Sequence, residues 1–155
     1  MNKNMNILFV CTGNTCRSPL AQAVLQEKID KENLDITVDS AGVCCGYGES
    51  MSANTKAIIE SMGIFFTHTS QPISQKLIDE ADLVVTMTKG HKQLLKNVVD
   101  KDKLFCVDDI TRLGDIADPY GMDMAAYKKV EKQLREAMDA IVEKLKEVAE
   151  YNNED

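Results

Sequence analysis

The chain has 155 residues, of which 44% are hydrophobic, and its 25 acidic and 18 basic residues give a formal net charge of -7. This length suits one domain with a single core, and the composition is that of an ordinary globular protein. The acidic balance argues against nucleic acid or an anionic membrane as a partner, although a local basic pocket is compatible with it. We expect one monomeric domain over residues 1–150 and a frayed tail at residues 151–155.

No apolar run approaches the length of a bilayer span, and the first residues lack the apolar core of a signal peptide. The five cysteines are odd in number and irregularly spaced, unlike a secreted disulfide framework, and a reducing cytosol would keep them as thiols. These features predict a cytoplasmic protein in which any special cysteine acts as a nucleophile or a ligand.

Strand and helix signals alternate along the chain. Residues 6–10 form an apolar run that ends in a glycine-containing loop, and Ser18 followed by Pro19 predicts a helix start with Ser18 as its N-cap. The other predicted strands cover residues 34–40, 82–88 and 103–107, and the other short helices cover residues 54–62, 74–80 and 89–98.

The last predicted helix has the clearest pattern, because its apolar residues recur at intervals of three and four and form one stripe. The stripe consists of Tyr127, Val130, Leu134, Met138, Ile141, Leu145 and Val148. Helices that alternate with strands lacking outward polar residues predict an α/β fold, in which four parallel strands are covered on both faces. The one long irregular stretch, residues 108–122, is of a kind that is usually functional or mobile.

The loop after the first predicted strand contains the pattern C-x5-R-S, from Cys11 to Ser18. A structural zinc site would need two further ligands beside Cys11 and Cys16, and the adjacent Cys44 and Cys45 are poorly spaced to supply them. The glycine patterns of dinucleotide-binding loops and nucleotide phosphate loops are absent. We therefore expect neither a metal nor a cofactor.

A short loop between a strand and a helix directs successive backbone N–H groups inward, and the helix dipole reinforces the attraction of this nest for an anion. Cys11 at its first position is expected to be a thiolate, because helix N-termini stabilise that form. Arg17 supplies a planar fork for two phosphate oxygens, and Ser18 can donate a hydrogen bond to the Cys11 sulfur. The loop is thus typical of a site that transfers a phosphoryl group.

A thiolate that attacks phosphorus needs an acid to protonate the leaving group. Asp118 precedes a proline, which restricts the aspartate to extended backbone conformations and can hold its carboxyl group outward. An Asp-Pro pair alone more often marks only a turn. In combination with C-x5-R-S in a chain of this size, it indicates a general acid.

With these motifs the sequence resembles the low-molecular-weight protein tyrosine phosphatase family. The resemblance rests on "VCTGNTCRSP" at residues 10–19, "DSAG" at 39–42, "HTSQPIS" from His68, "ADLVVTMT" from Ala81 and "DPYG" at 118–121. It implies a doubly wound four-stranded sheet in the order 2-1-3-4, with the active site at the carboxyl ends of the strands and the phosphate loop after strand 1.

The resemblance also implies roles for individual residues. Cys11 matches the nucleophile, Arg17 the phosphate-binding arginine and Asp118 the general acid. Supporting hydrogen bonds would come from Asn14, Ser18, Ser40 and His68. The phosphate would be bound by Thr12, Gly13, Asn14, Thr15, Cys16, Arg17 and Ser18. Cys16 matches a second loop cysteine that can form a reversible disulfide with Cys11 under peroxide.

Thr15 separates two subgroups of the family, because tyrosine-specific members usually carry an apolar residue at this position. The stretch "CTGNTCRSP" resembles that of bacterial protein arginine phosphatases, and a hydroxyl at the pocket wall suits a polar phosphoguanidine better than a phenyl ring. Tyr120 supplies the aromatic residue expected after Asp-Pro, while Gly121 replaces the second tyrosine of the family's pair. Phosphoarginine in proteins is therefore the expected substrate, with phosphotyrosine as the alternative.

Two other interpretations remain open. Thiol-dependent arsenate reductases share the C-x5-R loop, but they need two further redox cysteines downstream, and no cysteine lies between Cys45 and Cys106. The chain could also be a non-catalytic binder of phosphorylated side chains, or a redox sensor that uses Cys11 and Cys16. Turnover of a simple aryl phosphate would separate an enzyme from these binding proteins.

Overall fold

The computed structural model describes residues 4–64 and 66–153, and the side chains as far as residue 147. In this part of the chain, four strands alternate with helices. The strands are β1 (Met5–Cys11), β2 (Ile36–Gly42), β3 (Leu83–Thr86) and β4 (Leu104–Cys106). The helices are α1 (Arg17–Glu32), α2 (Ala53–Ser61), α3 (Gln75–Glu80), α4 (Lys89–Leu95), α5 (Val107–Thr111) and α6 (Met124–Asn153).

All strand pairs are parallel and the strand order is β2-β1-β3-β4, as the sequence predicted. The chain leaves β1 towards β2 on one side and returns to β3 on the other, so the order reverses at β1. Such a reversal opens a crevice at the carboxyl end of the strand, where ligands bind in open parallel sheets. Cys11 ends β1 at this point and pairs with Gly42 of β2.

Both faces of the sheet are covered, because side chains of β1 alternate between two apolar clusters. Ile7 and Phe9 pack with residues of α1, α2 and α6. Leu8 and Val10 pack instead with residues of α3 and α4. A strand buried on both faces needs a continuous apolar run, which explains the unbroken apolar stretch at the start of the chain.

Helix α6 presents its predicted stripe to the first of these clusters. Tyr127, Val130, Leu134, Met138 and Ile141 are all at most 3% exposed. Leu145 is partly buried against the same cluster, while the side chain of Val148 lies outside the described residues. The helix extends through Asn153, and residues 154 and 155 lie outside the described part, so the frayed tail at residues 151–155 stays a prediction.

The predicted start of α1 was wrong by two residues. The helix begins at Arg17 with Cys16 at the N-cap position, whereas Ser18 was expected to cap it. The Ser18 hydroxyl forms hydrogen bonds within the loop before the helix, with Cys11 and Asn14, and therefore does not cap. Tertiary contacts thus override the local capping preference of serine.

Other predicted boundaries also change by one to three residues. Strand β2 spans Ile36–Gly42 rather than residues 34–40, since its pairing with β1 continues to Gly42. The stretch 108–122 is not wholly irregular, because it includes most of α5, which is followed by Arg112 in the left-handed conformation (φ 60°). Among the described residues, no helix combines the length and the apolar character that a bilayer span requires.

Gly42 lies where β2 meets the loop that follows β1, and it leaves no room for a side chain. A Cβ atom there would lie 2.7 Å from the Thr12 carbonyl oxygen and 2.7 Å from the Cys45 Sγ. The Thr12 atom belongs to the backbone, so a side-chain rotation cannot relieve this contact. The absence of a side chain at Gly42 lets the loop after β1 and the loop after β2 approach each other.

We predict that Gly42→Ala lowers the free energy of unfolding by about 1–3 kcal/mol, because overpacking forces the backbone to shift. Urea denaturation followed by circular dichroism measures the change. Gly46→Ala is the matched control, since a Cβ at Gly46 would meet no atom within 4 Å. Equal stability of the two variants would contradict the close approach.

Candidate active site

The loop of residues 11–18, called the Cys11 loop below, joins the carboxyl end of β1 to the start of α1. Most of its side chains are buried: Cys11 is 3%, Arg17 5% and Ser18 0% exposed, whereas Thr12 is exposed. The loop therefore places a thiol and a cation at the base of the crevice where the strand order reverses. Its position is the one predicted for a phosphate-binding loop.

Asn14 holds the Cys11 loop in shape. Its backbone is left-handed (φ 56°), a conformation that asparagine tolerates better than most residues, and its side chain is fully buried. The amide nitrogen donates to Ser18 Oγ at 2.8 Å and to Ser40 Oγ at 3.0 Å. The amide oxygen accepts from the backbone N–H of Gln71 at 3.0 Å. One side chain thus joins the loop to β2 and to the segment before α3.

His68 completes this network from outside the loop. Its Nε2 lies 2.8 Å from the Asn14 carbonyl oxygen, so the nitrogen carries a hydrogen and donates it. Burial lowers the pKa of His68, although the bond to the Asn14 carbonyl opposes the shift. The His68 ring also stacks on the ring of Phe66, with 6.1 Å between the centroids, and this contact helps to hold the imidazole in its orientation. The four residues expected to support the loop, Asn14, Ser18, Ser40 and His68, are therefore brought together.

The direction of the hydrogen bond at the Cys11 sulfur follows from its neighbours. Cys11 Sγ lies 2.9 Å from Ser18 Oγ, and Ser18 Oγ already accepts a hydrogen from the Asn14 amide. The serine hydroxyl hydrogen can then point to the sulfur, so Ser18 is the donor in this hydrogen bond. Ser18 thus has the geometry expected for support of a nucleophile.

Arg17 connects the Cys11 loop to the segment that carries Asp118. Its Nη1 donates to the Ile116 carbonyl oxygen at 3.2 Å, and its Nη2 donates to Thr12 Oγ1 at 3.5 Å. The same Nη2 lies 3.7 Å from Asp118 Oδ2. The arginine side chain is 6% exposed while that of Asp118 is 57% exposed, so the cation lies at the base and the carboxylate at the mouth.

Asp118 is oriented by its own turn. Its Oδ1 accepts from the Tyr120 backbone N–H at 3.1 Å, which leaves Oδ2 directed towards Arg17. Gly121 has a φ of 75°, and the turn closes where the Met122 N–H donates to the Pro119 carbonyl at 2.9 Å. The carboxylate is therefore held beside the cation while more than half of its side chain stays exposed to solvent. The Tyr120 side chain is 76% exposed beside it.

The remaining loop residues line the crevice. The Thr15 carbonyl accepts from the Ser52 N–H at the start of α2 at 3.0 Å, and its hydroxyl lies 3.8 Å from Cys16 Sγ. Gly13 and Thr15 are both partly exposed, so they can face a ligand.

Cys16 is buried, and its sulfur lies 3.3 Å from the Tyr127 hydroxyl of α6. Burial raises the pKa of Tyr127, and the hydrogen bond with Cys16 adds to this shift. Cys11 and Cys16 are both free thiols. Their peroxide-driven disulfide therefore stays a prediction. Within the described ranges 4–64 and 66–153, no group of three or more His, Cys, Asp or Glu residues could hold a metal ion.

Three residues of the site were missed from the sequence. Gln22 accepts from Ser40 Oγ at 2.7 Å, and Gln71 donates from its side chain to the Ser40 carbonyl at 2.9 Å. His91 Nε2 lies 2.9 Å from Thr12 Oγ1. None of the motifs quoted from the sequence includes His91. Its position just after β3, at the edge where β1 also ends, was the available signal.

A doubly wound sheet with C-x5-R-S after its first strand and Asp-Pro at the same edge defines a class of cysteine-dependent phosphatases. The family model described as low molecular weight phosphotyrosine protein phosphatase matches residues 6–151. The chain belongs to this family.

The similar proteins include some named as arginine phosphatases and others named as tyrosine phosphatases. A protein-arginine-phosphatase of Bacillus subtilis (strain 168) is 34% identical over 146 residues, which cover 92% of this chain and 97% of the relative. The low molecular weight protein-tyrosine-phosphatase PtpB of Staphylococcus haemolyticus is 33% identical over 132 residues, covering 84% and 92%. A solved mutant of the YwlE arginine phosphatase with a phosphorylated active-site serine has a TM-score of 0.86 and 34% identity, covering 92% of this chain and 96% of its own.

We predict that Asn14→Ala lowers the free energy of unfolding by at least about 2 kcal/mol, because it leaves buried polar groups unpaired and keeps a Cβ in a left-handed position. Asn14→Gly should recover roughly 1 kcal/mol of that loss, since glycine adopts this backbone freely. Urea denaturation gives both values.

Asn33→Gly is the control for this prediction. Asn33 is also left-handed (φ 53°), but it is exposed at the end of α1. Its replacement should change stability by less than about 1 kcal/mol. A loss at Asn14 no larger than that at Asn33 would refute the structural role of the buried amide.

Proposed function

We propose that this protein is a cysteine-dependent protein phosphatase that hydrolyses phosphoarginine in proteins through a phosphocysteine intermediate. One observation carries the proposal: Cys11, Ser18 and Arg17 share one loop, and Asp118 lies beside Arg17 at its mouth. This set contains a nucleophile, a donor to the nucleophile, an anion-binding cation and an acid. A protein that only binds phosphorylated side chains would need the cation but not the other three.

In the first chemical step, the phosphoryl oxygens occupy the backbone nest and contact the Arg17 guanidinium. The Cys11 sulfur attacks phosphorus as the bond from phosphorus to the guanidine nitrogen breaks. Protonated Asp118 donates its proton to that nitrogen, so no negative charge develops on the nitrogen as the arginine side chain leaves. The products of this step are a phosphocysteine, an unphosphorylated arginine side chain of the substrate protein and an ionised Asp118.

In the second step, the Asp118 carboxylate takes a proton from water while the water oxygen attacks phosphorus. The bond from sulfur to phosphorus breaks, and the Ser18 hydroxyl donates its hydrogen bond to the departing Cys11 thiolate. Inorganic phosphate leaves, and Asp118 is again protonated. The two steps together consume one water and need no metal or cofactor.

The comparisons support this proposal at two points. The Bacillus subtilis relative is named as a phosphatase of protein arginine, and the related YwlE mutant carries a phosphoryl group on its active-site serine. A covalent phosphoryl group at that residue is the counterpart of the phosphocysteine proposed here for Cys11.

Thr15 supports phosphoarginine over phosphotyrosine as the substrate. Its hydroxyl has only the weak 3.8 Å contact with Cys16 Sγ among the described residues, which leaves it able to bind a polar substrate group. A guanidinium offers N–H donors to such a hydroxyl and to the exposed Asp118 carboxylate, whereas a phenyl ring offers none. Phosphotyrosine is the second candidate, and it is favoured by the name of the Staphylococcus haemolyticus relative.

We further propose that phosphorylated proteins are its partners in the cytoplasm, that it acts as a monomer, and that it binds neither nucleic acid nor membranes. The formal net charge of -7 supports the last part, because polyanionic surfaces repel an acidic protein. The basic Arg17 is buried inside the loop, where a single phosphoryl group rather than an extended polyanion can reach it.

The direct test compares kcat/KM for a protein phosphorylated on arginine with kcat/KM for a phosphotyrosine peptide. We expect the phosphoarginine protein to be the better substrate, and Cys11→Ser to abolish turnover of both while inorganic phosphate still binds. A preference for phosphotyrosine would assign the alternative function. Full activity of Cys11→Ser would remove the nucleophile from the proposal.

We predict that Asp118→Asn slows hydrolysis of phosphoarginine by about 10²- to 10⁴-fold, because the guanidine must be protonated as it leaves. The phosphorylation step with an aryl phosphate that carries an activated phenol should slow far less, since that phenol departs without a proton. Single-turnover kinetics isolate this step for both substrates. Equal losses on the two would indicate that Asp118 is structural.

We predict that Thr15→Ile shifts the substrate ratio towards phosphotyrosine by tenfold or more, which corresponds to about 1–3 kcal/mol for one pocket contact. The substitution exchanges a polar wall for an apolar one and leaves Cys11 and Arg17 in place. Activity on small aryl phosphates serves as the control and should survive. An unchanged ratio of kcat/KM values would show that Thr15 does not select the substrate.

A further inference from the structure

His91 reaches the Cys11 loop from the opposite side of the crevice. It lies in the first turn of α4, and its Nε2 is 2.9 Å from the hydroxyl oxygen of Thr12. His91 is 6% exposed, whereas Thr12 is exposed at the mouth of the loop. A buried imidazole thus contacts the hydroxyl of Thr12, the residue directly after the Cys11 nucleophile.

The charge of His91 is settled by its surroundings. Burial, and after it the nearby Arg17 cation, together lower the pKa of His91 to about 4. Asp115 and Asp118 act against this shift but do not outweigh it. The ring is therefore neutral at neutral pH and carries a single hydrogen.

The position of that hydrogen decides what the Thr12 hydroxyl can do. Among the residues that the structure describes, no group pairs with the buried Nδ1 of His91. A buried N–H without an acceptor is rarer and more costly than an acceptor without a donor, so the hydrogen belongs on Nε2. His91 then donates to Thr12 Oγ1.

Thr12 Oγ1 also accepts from Arg17 Nη2 at 3.5 Å. A hydroxyl oxygen has two lone pairs and one hydrogen, so the two donors, His91 and Arg17, occupy both of its acceptor positions. The hydroxyl hydrogen has to point away from both of them. Thr12 is exposed while both donors are buried, so this hydrogen is left for a group outside the protein.

We propose that His91 is a positioning residue, which turns the Thr12 hydroxyl hydrogen towards the pocket, where it donates to an oxygen of the bound phosphoryl group. This inference rests on the proposed function only in that the site binds a phosphoryl group, whatever side chain carries that group. His91 does not touch the substrate itself. Its effect passes through Thr12 and through the Arg17 guanidinium that shares the same oxygen.

Two pairs of variants test the proposal. His91→Phe removes the ring nitrogen, while His91→Gln places an amide N–H near the position of Nε2. Thr12→Val removes the hydroxyl, while Thr12→Ser keeps it. We expect His91→Phe and Thr12→Val each to raise the Kd of inorganic phosphate about 10- to 100-fold, as for one hydrogen bond to an anion. His91→Gln and Thr12→Ser should stay within about twofold of the unsubstituted protein, because each retains its hydrogen-bonding group.

The double variant carrying His91→Phe and Thr12→Val separates positioning from packing. If His91 acts only through the Thr12 hydroxyl, the double variant should bind phosphate no more weakly than either single variant. A histidine that merely fills space would tolerate Phe, and a histidine that acts independently of the Thr12 hydroxyl would give losses that multiply in the double variant. Either of these results would overturn the proposal.

Nitrogen NMR of the unsubstituted protein gives a second test that needs no variant to fold. The chain has only two histidines, so the His91 ring is readily assigned, and at neutral pH we expect a hydrogen on Nε2 and none on Nδ1. A hydrogen on Nδ1 would contradict the inference.

Phosphate binding measured by calorimetry does not depend on turnover. If phosphate binding responds as described but no phosphorylated protein is hydrolysed, the proposed function fails and the role of His91 stands. If phosphate does not bind the unsubstituted protein, the role of His91 fails.

Discussion

The buried amide of Asn14 is the contact on which the site depends. A loop that directs its N–H groups inward must satisfy its other polar atoms elsewhere, because buried groups without partners are costly. Asn14 meets this demand by bonding Ser18 and Ser40 through one end of its amide and the Gln71 backbone through the other. These bonds hold the loop open around the Cys11 sulfur and leave Ser18 free to donate to it.

The second constraint is the buried charge of Arg17. A guanidinium at 5% exposure is costly to remove from water unless its N–H groups find acceptors. Ile116 supplies a carbonyl and Thr12 a hydroxyl, but the nearest carboxylate, that of Asp118, is largely exposed and 3.7 Å away. The cation is thus incompletely compensated by the protein. An arriving phosphoryl dianion can supply the missing charge, which makes a locally basic site consistent with an acidic chain.

The topology of the sheet explains how distant segments come to share this site. Because β1 lies between β2 and β3, and all strands are parallel, their carboxyl ends meet at one edge. Gly42 ends β2 there, and His91 follows β3 by one short turn and the start of α4. Ile116 is joined to the same edge by its hydrogen bond to the Met87 carbonyl, which brings Asp118 to the mouth of the crevice.

The sequence alone determined the α/β class, the number of strands and the stripe of α6, because periodicity and local turn residues carry those signals. The motif from Cys11 to Ser18 and the pair at Asp118 also identified the residues that now surround the crevice. Only the tertiary structure decided that Ser18 bonds Cys11 instead of capping α1, and that His91 contacts Thr12. These contacts could not be predicted from the sequence, because a hydroxyl or an imidazole can form hydrogen bonds with many different groups of the chain. Burial and the parallel order of the strands select one of them.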